Sequence, residues 1–322
     1  MYNNVKLEKG LYNLAGKTFS QALAELDPDS SYDGELKALD AYERQLKRFD
    51  IKVKGVNSDM VEKFFQTTES SVLFPEFVRR AVAQGINSPL LNEIVAAQTN
   101  TTACDCRGIV LSNGETPYTT AVSELAEIPE STISLASSLV NLKKFGRVIS
   151  ASYEAVRQQR LDVFAVALKA VGAQIGKAVA KQGIDTLLAG VTASSMTGAS
   201  FTYSELAAFW GDFTDFELTT LICSPATAAK ILAFDEMNKA VSTGDSTVIK
   251  TPFGAVIAVS SAVPDNRLIG IDRSYALEMI NGSDIVVDTD KLISRQIDKT
   301  AVTVTTGFSK IASGAVKVLA IA

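Results

Sequence analysis

The segment KKFGRVISASYEAVRQQRLDVFAVALKAVGAQIGKAVAKQGIDTLLAG, residues 143–190, is the most informative part of the sequence, because it joins an extended run to one very long helix. Its apolar residues recur at spacings of three and four, which is typical of one helical face: they are Leu161, Phe164, Leu168, Val171, Ile175 and Val179. Ser152 is predicted as the N-cap, and Gly190 is predicted to end the helix in a left-handed conformation. A helix from about Tyr153 to Ala189 would be roughly 55 Å long, far beyond the average. Such a helix needs a flat, extended body, so it indicates an architecture rather than a chemistry.

Composition places the chain among globular proteins. The 322 residues are 47% hydrophobic and 21% charged, enough for one large domain or a few ordinary ones. A net charge of −5 and a pI near 5.1 indicate that the chain as a whole has no large basic surface that could bind the phosphate backbone of a nucleic acid. The N-terminal residues MYNNVKLEKG lack the apolar core of a signal peptide, and no run of eighteen apolar residues occurs. We therefore expect a protein made in the cytosol that neither spans a membrane nor leaves through a signal peptide.

The composition excludes most of the common types of catalytic site. Histidine, the commonest general base and metal ligand, does not occur in the sequence. The cysteines Cys104, Cys106 and Cys223 do not supply the four ligands of a structural zinc site and are interpreted as reduced thiols. We expect no catalytic residues, no cofactor and no metal.

Two weaker signals are given structural interpretations. GAQIGKA has three residues between Gly172 and Gly176 where a phosphate loop needs four, so close approach of another element is favoured over nucleotide binding. The carboxylates of Asp284, Asp288 and Asp290 could gather a divalent ion, but a solvated turn between strands is preferred.

The N-terminal part, residues 1 to about 90, is predicted to be short pieces strung on loops. A capping box of Thr18 and Gln21 opens one helix, DIKVKG is predicted as a short strand, and another helix starts at Pro75. Between them GELKALDAYERQLKRF has the spacing of an amphipathic helix, with an apolar stripe of Leu36, Leu39, Tyr42, Leu46 and Phe49. We expect this arm to bury too little by itself and to dock on another part of the chain or, preferably, on a neighbouring subunit.

Residues 101 to about 138 are predicted to form a long hairpin. Two extended runs, TTACDCRGIVL and YTTAVSELAEIPESTISLAS, are joined by SNGETP, which is strong turn chemistry. Its two sides are interpreted as carrying few large apolar residues, so we expect a projecting ribbon that a partner must cover. The remaining chain is predicted as a mixed helix-and-sheet domain that closes on C-terminal strands.

In the order of these parts the chain resembles the major capsid proteins of tailed phages with the Hong Kong 97 fold. The stretches that carry the likeness are TTESSVLFPEFVRRAV, the long-helix segment ISASYEAVRQQRLDVFAVALKAVGAQIGKAVAKQGIDTLL, and IGIDRSYALEMI with the strands after it. The resemblance implies an α+β fold with an N-terminal arm at 1–100, a projecting β-hairpin or E-loop at 101–142 and a compact axial domain at 196–290. The long spine helix and the C-terminal strands would form the peripheral domain, at 143–195 and 291–322.

The function that the resemblance implies is self-assembly into an icosahedral head that encloses double-stranded DNA without sequence-specific binding. The partners would be pentamers and hexamers of the chain itself, with scaffolding, portal and decoration proteins, in a virion assembled in the bacterial cytoplasm. Some members of the fold lock the shell through a lysine in the hairpin, but no lysine occurs between Lys63 and Lys143, so a non-covalent shell is expected. The alternatives are an encapsulin-type nanocompartment shell and, more remotely, a cytosolic α+β enzyme.

The predicted subunit-contact residues come from the arm, the hairpin tip and the start of the long helix. They are Leu39, Tyr42, Leu46, Phe49, Asn113, Pro117, Tyr118, Arg157 and Arg160.

Overall fold

The computed structural model describes residues 5–14, 16–87, 89–103, 106–112, 121–128, 130–152, 157–237, 249–292 and 297–321. They form two compact units. The first unit comprises Met1–Asn87, Gly146–Gly176 and Ile285–Thr303, and the second comprises Ser88–Phe145, Lys177–Asp284 and Val304–Ala322.

The described residues form both α-helices and β-strands. The helices are α1 (Phe19–Leu26), α2 (Ala41–Arg48), α3 (Thr68–Ser71), α4 (Phe74–Ile86), α5 (Pro89–Ile94), α6 (Leu161–Leu188), α7 (Tyr203–Gly211) and α8 (Pro225–Leu232). Short 3-10 turns lie at Lys9–Asn13, Asp29–Ser31, Gly34–Leu36, Val61–Phe65 and Ser313–Ala315. The strands are β1 (Ala97–Asn100), β2 (Ile109–Ser112), β3 (Thr132–Leu135), β4 (Lys143–Ser152), β5 (Ser194–Ser195), β6 (Thr220–Cys223), β7 (Val256–Val259), β8 (Arg267–Ile271), β9 (Leu277–Leu292), β10 (Ile297–Lys310) and β11 (Val316–Ala320).

The strands make three sheets. One has the order β1-β9-β10-β4, the second has the order β5-β11-β8-β6-β7, and β2 pairs with β3 alone. The long alternating strands β9 and β10 confirm the extended C-terminal run predicted from the sequence.

The arm packs on the long helix of its own chain, which is one of the two predicted alternatives. Its buried side chains include Phe19, Leu23, Tyr42, Leu46, Phe64, Leu73, Phe77 and Val82. In the same unit Phe164 of α6 stacks on Phe74 and Phe77, with ring centroids 6.2 and 6.5 Å apart. Each short helix has little apolar surface by itself, but α4 and the residues around it pack together on one side of α6. Docking of the arm on a neighbouring subunit stays a prediction.

The helix starts that depend on adjacent residues are confirmed. The Thr18 and Gln21 capping box is present at the start of α1, and α4 begins one residue before Pro75. The predicted amphipathic helix is shorter than expected, because Asp40 caps α2 with Glu43. No strand forms at DIKVKG, whose residues are all described.

The long helix begins later than predicted. It runs for 28 residues, about 42 Å, from Leu161 rather than from Tyr153. Backbone pairing holds residues 159–160 in an extended bridge beside Met60, and Leu161 N–H donates to the carbonyl of Asp59. The helix start is thus fixed by a distant loop. Its predicted end is confirmed, since Gly190 has a φ of +69°.

Glycines allow α4 and α6 to cross closely in the first unit. A Cβ on Gly172 would lie 2.2 Å from the carbonyl oxygen of Val82, and one on Gly85 would lie 2.1 Å from that of Lys169. Gly176 meets the Ile86 carbonyl in the same way, at 2.6 Å. The close-approach interpretation of Gly172 and Gly176 is confirmed.

The second unit has a separate core around the five-stranded sheet. Strand β6 is buried along its whole length, and Leu206 and Phe209 of α7 pack in the same cluster. Burial raises the pKa of the Cys223 thiol to about 12, so this cysteine is a packing residue. The predicted domain boundaries do not coincide with the two compact units and stay a prediction.

Candidate subunit interface

The predicted hairpin exists as a short two-stranded ribbon, β2–β3. Ile109 pairs with Leu135 and Ser112 pairs with Thr132 in antiparallel register. The paired strands are separated by the 19 residues 113–131. The turn predicted at SNGETP lies, after Ser112, outside the described residues.

One face of the ribbon is apolar and exposed. Antiparallel partners share a face, so the register brings Ile109, Leu111, Ile133 and Leu135 together. Ile133 is 75% exposed, Leu135 is 67% exposed and Ile109 is 47% exposed. The expectation that the hairpin carries few large apolar residues is wrong. The apolar residues alternate along the sequence, as Ile109 and Leu111 in GIVL and as Ile133 and Leu135 in TISL. Only the strand register shows that the two pairs lie on one face.

The base of the ribbon is held firmly in the second unit. Leu111 N–H donates to the Ile311 carbonyl at 3.0 Å, which holds β2 to another part of the unit, and Ala136 N–H donates to the Gly108 carbonyl at 2.8 Å, which extends the β2–β3 pairing. Gly108 passes so close to Ser309 that an added Cβ would lie 1.9 Å from its hydroxyl oxygen. The apolar face is therefore presented by a fixed base.

The described part of the connection, residues 121–128, is exposed throughout. Leu125 is fully exposed and has a φ of +68°, a conformation that is unfavourable for a bulky residue. Ile128, three residues later, is 76% exposed. Between Arg107 and Lys143 the sequence carries four glutamates and no basic residue, so the ribbon is acidic as well as apolar.

A groove of about 310 Å³ opens in the first unit between α2, α4, α6 and the loop at 53–55. Its apolar lining includes Leu46, Val53, Phe77, Ala81, Ala165 and Val166. Beside it α6 exposes Val163 and Val166, which are 55% and 66% accessible. By length and composition alone α6 could cross a membrane, a test that core helices of soluble proteins also pass.

Charged residues line the rim of the groove. The bases are Lys54, Arg80 and Lys169, and the acids are Glu43 and Asp162. Glu43 accepts the N–H of its own N-cap residue, and Asp162 pairs with an arginine at 2.7 Å. Arg80 binds Glu76 and Asp40, at 2.8 and 2.6 Å.

An ion network around the fully buried Arg44 fixes the loops before α2, with Asp27 buried and Asp29 mostly exposed. Arg44 has no exposed side-chain surface and donates to Asp27 Oδ2 at 3.1 Å and to Asp29 Oδ1 at 2.8 Å. Its guanidinium also lies 4.7 Å from the ring centre of Tyr32. Removing such an arginine would leave the buried Asp27 carboxylate without its countercharge.

A second network joins α1 to α4. The buried Glu76 accepts from Ser20 Oγ at 2.6 Å and pairs with Arg79 at 2.7 Å and with Arg80. Burial by itself favours the neutral acid, but the hydrogen bond and charge of Arg79 outweigh it, so the pKa of Glu76 lies below its ordinary 4.5. Both networks hold the arm on its own unit.

The predicted contact residues are distributed unevenly. Tyr42 and Leu46 are buried in the arm core, and Leu39 and Phe49 are half-buried. Arg160 binds Asp162 and the carbonyls of Gly55 and Val56, so its polar contacts are within its own chain. The guanidinium of Arg157 lies 5.9 Å from the ring centre of Phe65. The other three predicted contact residues, Asn113, Pro117 and Tyr118, lie outside the described residues.

Comparison with known proteins gives one family and a set of similar structures. The family described as phage capsid protein matches residues 136–316, and no curated protein matches the chain. The virus-like particle from Pyrococcus furiosus has a TM-score of 0.52 at 15% identity, over 76% of this chain and 98% of that one. The capsid of the native GTA particle has a TM-score of 0.52 at 14% identity, over 72% and 89%. Microbacterium phage Oxtober96 has a TM-score of 0.50 at 12% identity, over 73% and 90%.

Proposed function

The chain belongs to the phage capsid protein family, with the predicted α+β Hong Kong 97 fold, and we propose that it closes an icosahedral head around double-stranded DNA. It is a structural capsid protein. In this proposal the shell is built from pentamers and hexamers of the chain, its partners are scaffolding, portal and decoration proteins, and it is assembled in the bacterial cytoplasm. Enclosing DNA requires no sequence-specific contact and no catalytic step.

The observation that carries the proposal is the exposed apolar face of β2–β3. A two-stranded ribbon is marginal in water, and apolar side chains on one face contribute to stability only when something covers them. Ile133 and Leu135 have little cover within their own chain. Many copies of one contact in a closed shell would cover this face in every subunit.

The shell is proposed to be non-covalent. The sequence has no lysine from residue 64 to residue 142, so the ribbon has no amine for an isopeptide bond. Modest contacts repeated in every subunit add through multivalency, and a stable shell does not need each contact to be strong.

The encapsulin-type nanocompartment remains the second candidate. The virus-like particle structure is similar over nearly its whole length, but at 15% identity that likeness bears on the fold alone. The matched phage capsid family favours the head. What the particle contains distinguishes the two, since a fold does not determine its cargo.

The test is to express the chain, image the product by negative-stain microscopy and analyse its contents. We expect closed particles of uniform size that package DNA when the phage's own packaging proteins are present. Boiling in detergent and reductant should release one band near the 34.3 kDa monomer. Particles filled with one cargo enzyme would support the nanocompartment, and a ladder of covalent oligomers would contradict the non-covalent shell.

A further inference from the structure

We propose that a cavity of about 630 Å³ in the first unit binds a phosphate ester of nucleotide size. Its lining comes from residues 9, 65–68 and 71, the start of α4, residue 157, and strands β9 and β10, and all of these residues belong to that unit. The inference goes beyond the proposed function, because it assigns a ligand site to the subunit itself and its test needs no assembled shell.

The cavity gathers positive charge in an acidic chain. The bases Lys9, Arg157 and Lys299 line it, and Asp290 is the one acid among the described lining residues. Three bases against one acid leave an excess of two positive charges here, whereas the whole chain carries −5. Among the described residues the exposed Lys9 and Lys299 form no ion pair, so an anion that enters would supply their countercharge.

The polar groups around these bases suit a phosphate. The hydroxyl groups of Thr68, Thr289 and Thr300 line the same cavity, and a hydroxyl can donate to an anionic oxygen. Arginine binds phosphate oxygens through its planar guanidinium, and lysine contributes a point charge. A phosphate monoester carries a charge of about −1.5 to −2 and three acceptor oxygens, which matches the excess charge better than the single charge of a carboxylate does.

The cavity is larger than a phosphate ion needs. Its volume lies within the range of about 300–1,000 Å³ that is typical of ligand sites, so an organic group can enter with the phosphate. Phe65 and Phe74 form an aromatic wall, with ring centroids 5.1 Å apart. The guanidinium of Arg157 lies 5.9 Å from the ring centre of Phe65, so the charged and aromatic parts adjoin. Because bases stack on aromatic side chains, the arrangement fits a nucleotide.

The first experiment measures binding of adenosine 5′-monophosphate to the full chain by equilibrium dialysis. Adenosine, which lacks the phosphate, should bind about tenfold more weakly because it has no charge to pair with the bases. Ribose 5-phosphate, which lacks the base, should bind about fivefold more weakly because it cannot stack.

Paired charge reversals locate the site. Lys9→Glu with Lys299→Glu should weaken binding of adenosine 5′-monophosphate about tenfold, because like charges then meet in the cavity. The matched control, Lys37→Glu with Lys54→Glu, makes the same charge change at exposed lysines of the same unit that do not line the cavity, and it should bind normally.

The second experiment uses the unaltered chain, so it does not depend on the folding of any variant. Lysines are acetylated with acetic anhydride and quantified by mass spectrometry, with adenosine 5′-monophosphate, with a duplex oligonucleotide, or with neither. A bound phosphate should protect Lys9 and Lys299 and leave Lys37 and Lys54 unchanged. Protection by the mononucleotide assigns the site to a free nucleotide, and protection by the duplex alone assigns it to backbone phosphates of DNA.

The outcomes are separate from those for the shell. Phosphate-dependent binding that only the cavity variant loses, with protection confined to Lys9 and Lys299, supports the site. Equal binding of adenosine and adenosine 5′-monophosphate, equal losses in the two double variants, or no selective protection by either probe overturns it. None of these results bears on assembly, so the capsid function would stand without the site, and the site would stand if no shell formed.

Discussion

Gly172→Ala perturbs the crossing of α4 and α6 and tests whether the arm packs on its own subunit. The added Cβ would lie 2.2 Å from the Val82 carbonyl oxygen and 3.0 Å from the Cα of Gly85. These are backbone atoms that no rotamer change can move. Ordinary contact distances are about 3.5–4.0 Å between carbon atoms, so the helices must separate by roughly 1 Å.

The magnitude follows from two opposing effects. Overpacking costs about 1–3 kcal/mol, and a contact with backbone places the cost near the upper end. Alanine in place of glycine within a helix returns about 1 kcal/mol of helix propensity. The net loss is about 2 kcal/mol, which corresponds to a melting temperature lowered by about 4–8 °C.

The assay is thermal unfolding of the unassembled subunit, with hydrogen exchange of the α4 amides to localise the effect. The matched control is Gly211→Ala at the end of α7, where an added Cβ meets nothing within 4 Å. That variant should be neutral or slightly stabilised. If Gly172→Ala is as stable as Gly211→Ala and α4 exchanges no faster, the arm does not pack on its own α6.

Three further changes test the buried networks and the ribbon. Arg44→Leu should lower the free energy of unfolding by about 3–5 kcal/mol in denaturant titrations, because it removes the positive charge beside the buried Asp27 carboxylate. Because the pKa of Glu76 in the folded protein is lowered, its ionised carboxylate contributes fully to folding stability above pH 4.5, the ordinary pKa of a glutamate, and the contribution is lost as the pH falls below that value. The free energy of unfolding should therefore drop in this pH range in the unaltered chain and much less in Glu76→Gln. Leu135→Lys should abolish shells while changing subunit stability by less than about 0.5 kcal/mol, because that side chain is exposed.

Controls accompany each of these changes. Lys47→Leu, at an exposed position on the same helix as Arg44, should cost little. An equal acid response in Glu76→Gln and the unaltered chain would assign the transition to another carboxyl. Ser134→Lys lies on the opposite face of the ribbon, and it should assemble normally. If Ser134→Lys and Leu135→Lys behave alike, the apolar face is not the contact.

The structural features that depend on residues close together in the sequence could be predicted. The apolar stripe of α6, its left-handed end at Gly190 and the capping box of Thr18 are local patterns, and the structure contains all of them. The start of α6 could not be predicted, because the carbonyl of Asp59 and the hydroxyl of Ser58 determine it from about a hundred residues away.

The candidate interface was harder to predict for the same physical reason. Ile109 and Leu135 lie far apart in sequence, and only the strand register shows that they share a face. Tyr42 and Leu46 have the spacing of an exposed contact stripe, yet they are buried because the separate arm helices enclose one core. Periodicity identifies an apolar face but does not reveal which surface covers it.

The most direct test of the central claim is a cryo-electron microscopy reconstruction of the purified protein, preceded by measurement of its particle mass. The account predicts closed shells in which a neighbouring subunit covers the apolar face of β2–β3 in every copy. A monodisperse solution of 34.3 kDa monomers at assembly concentrations, with Ile133 and Leu135 still exposed to solvent, would contradict it.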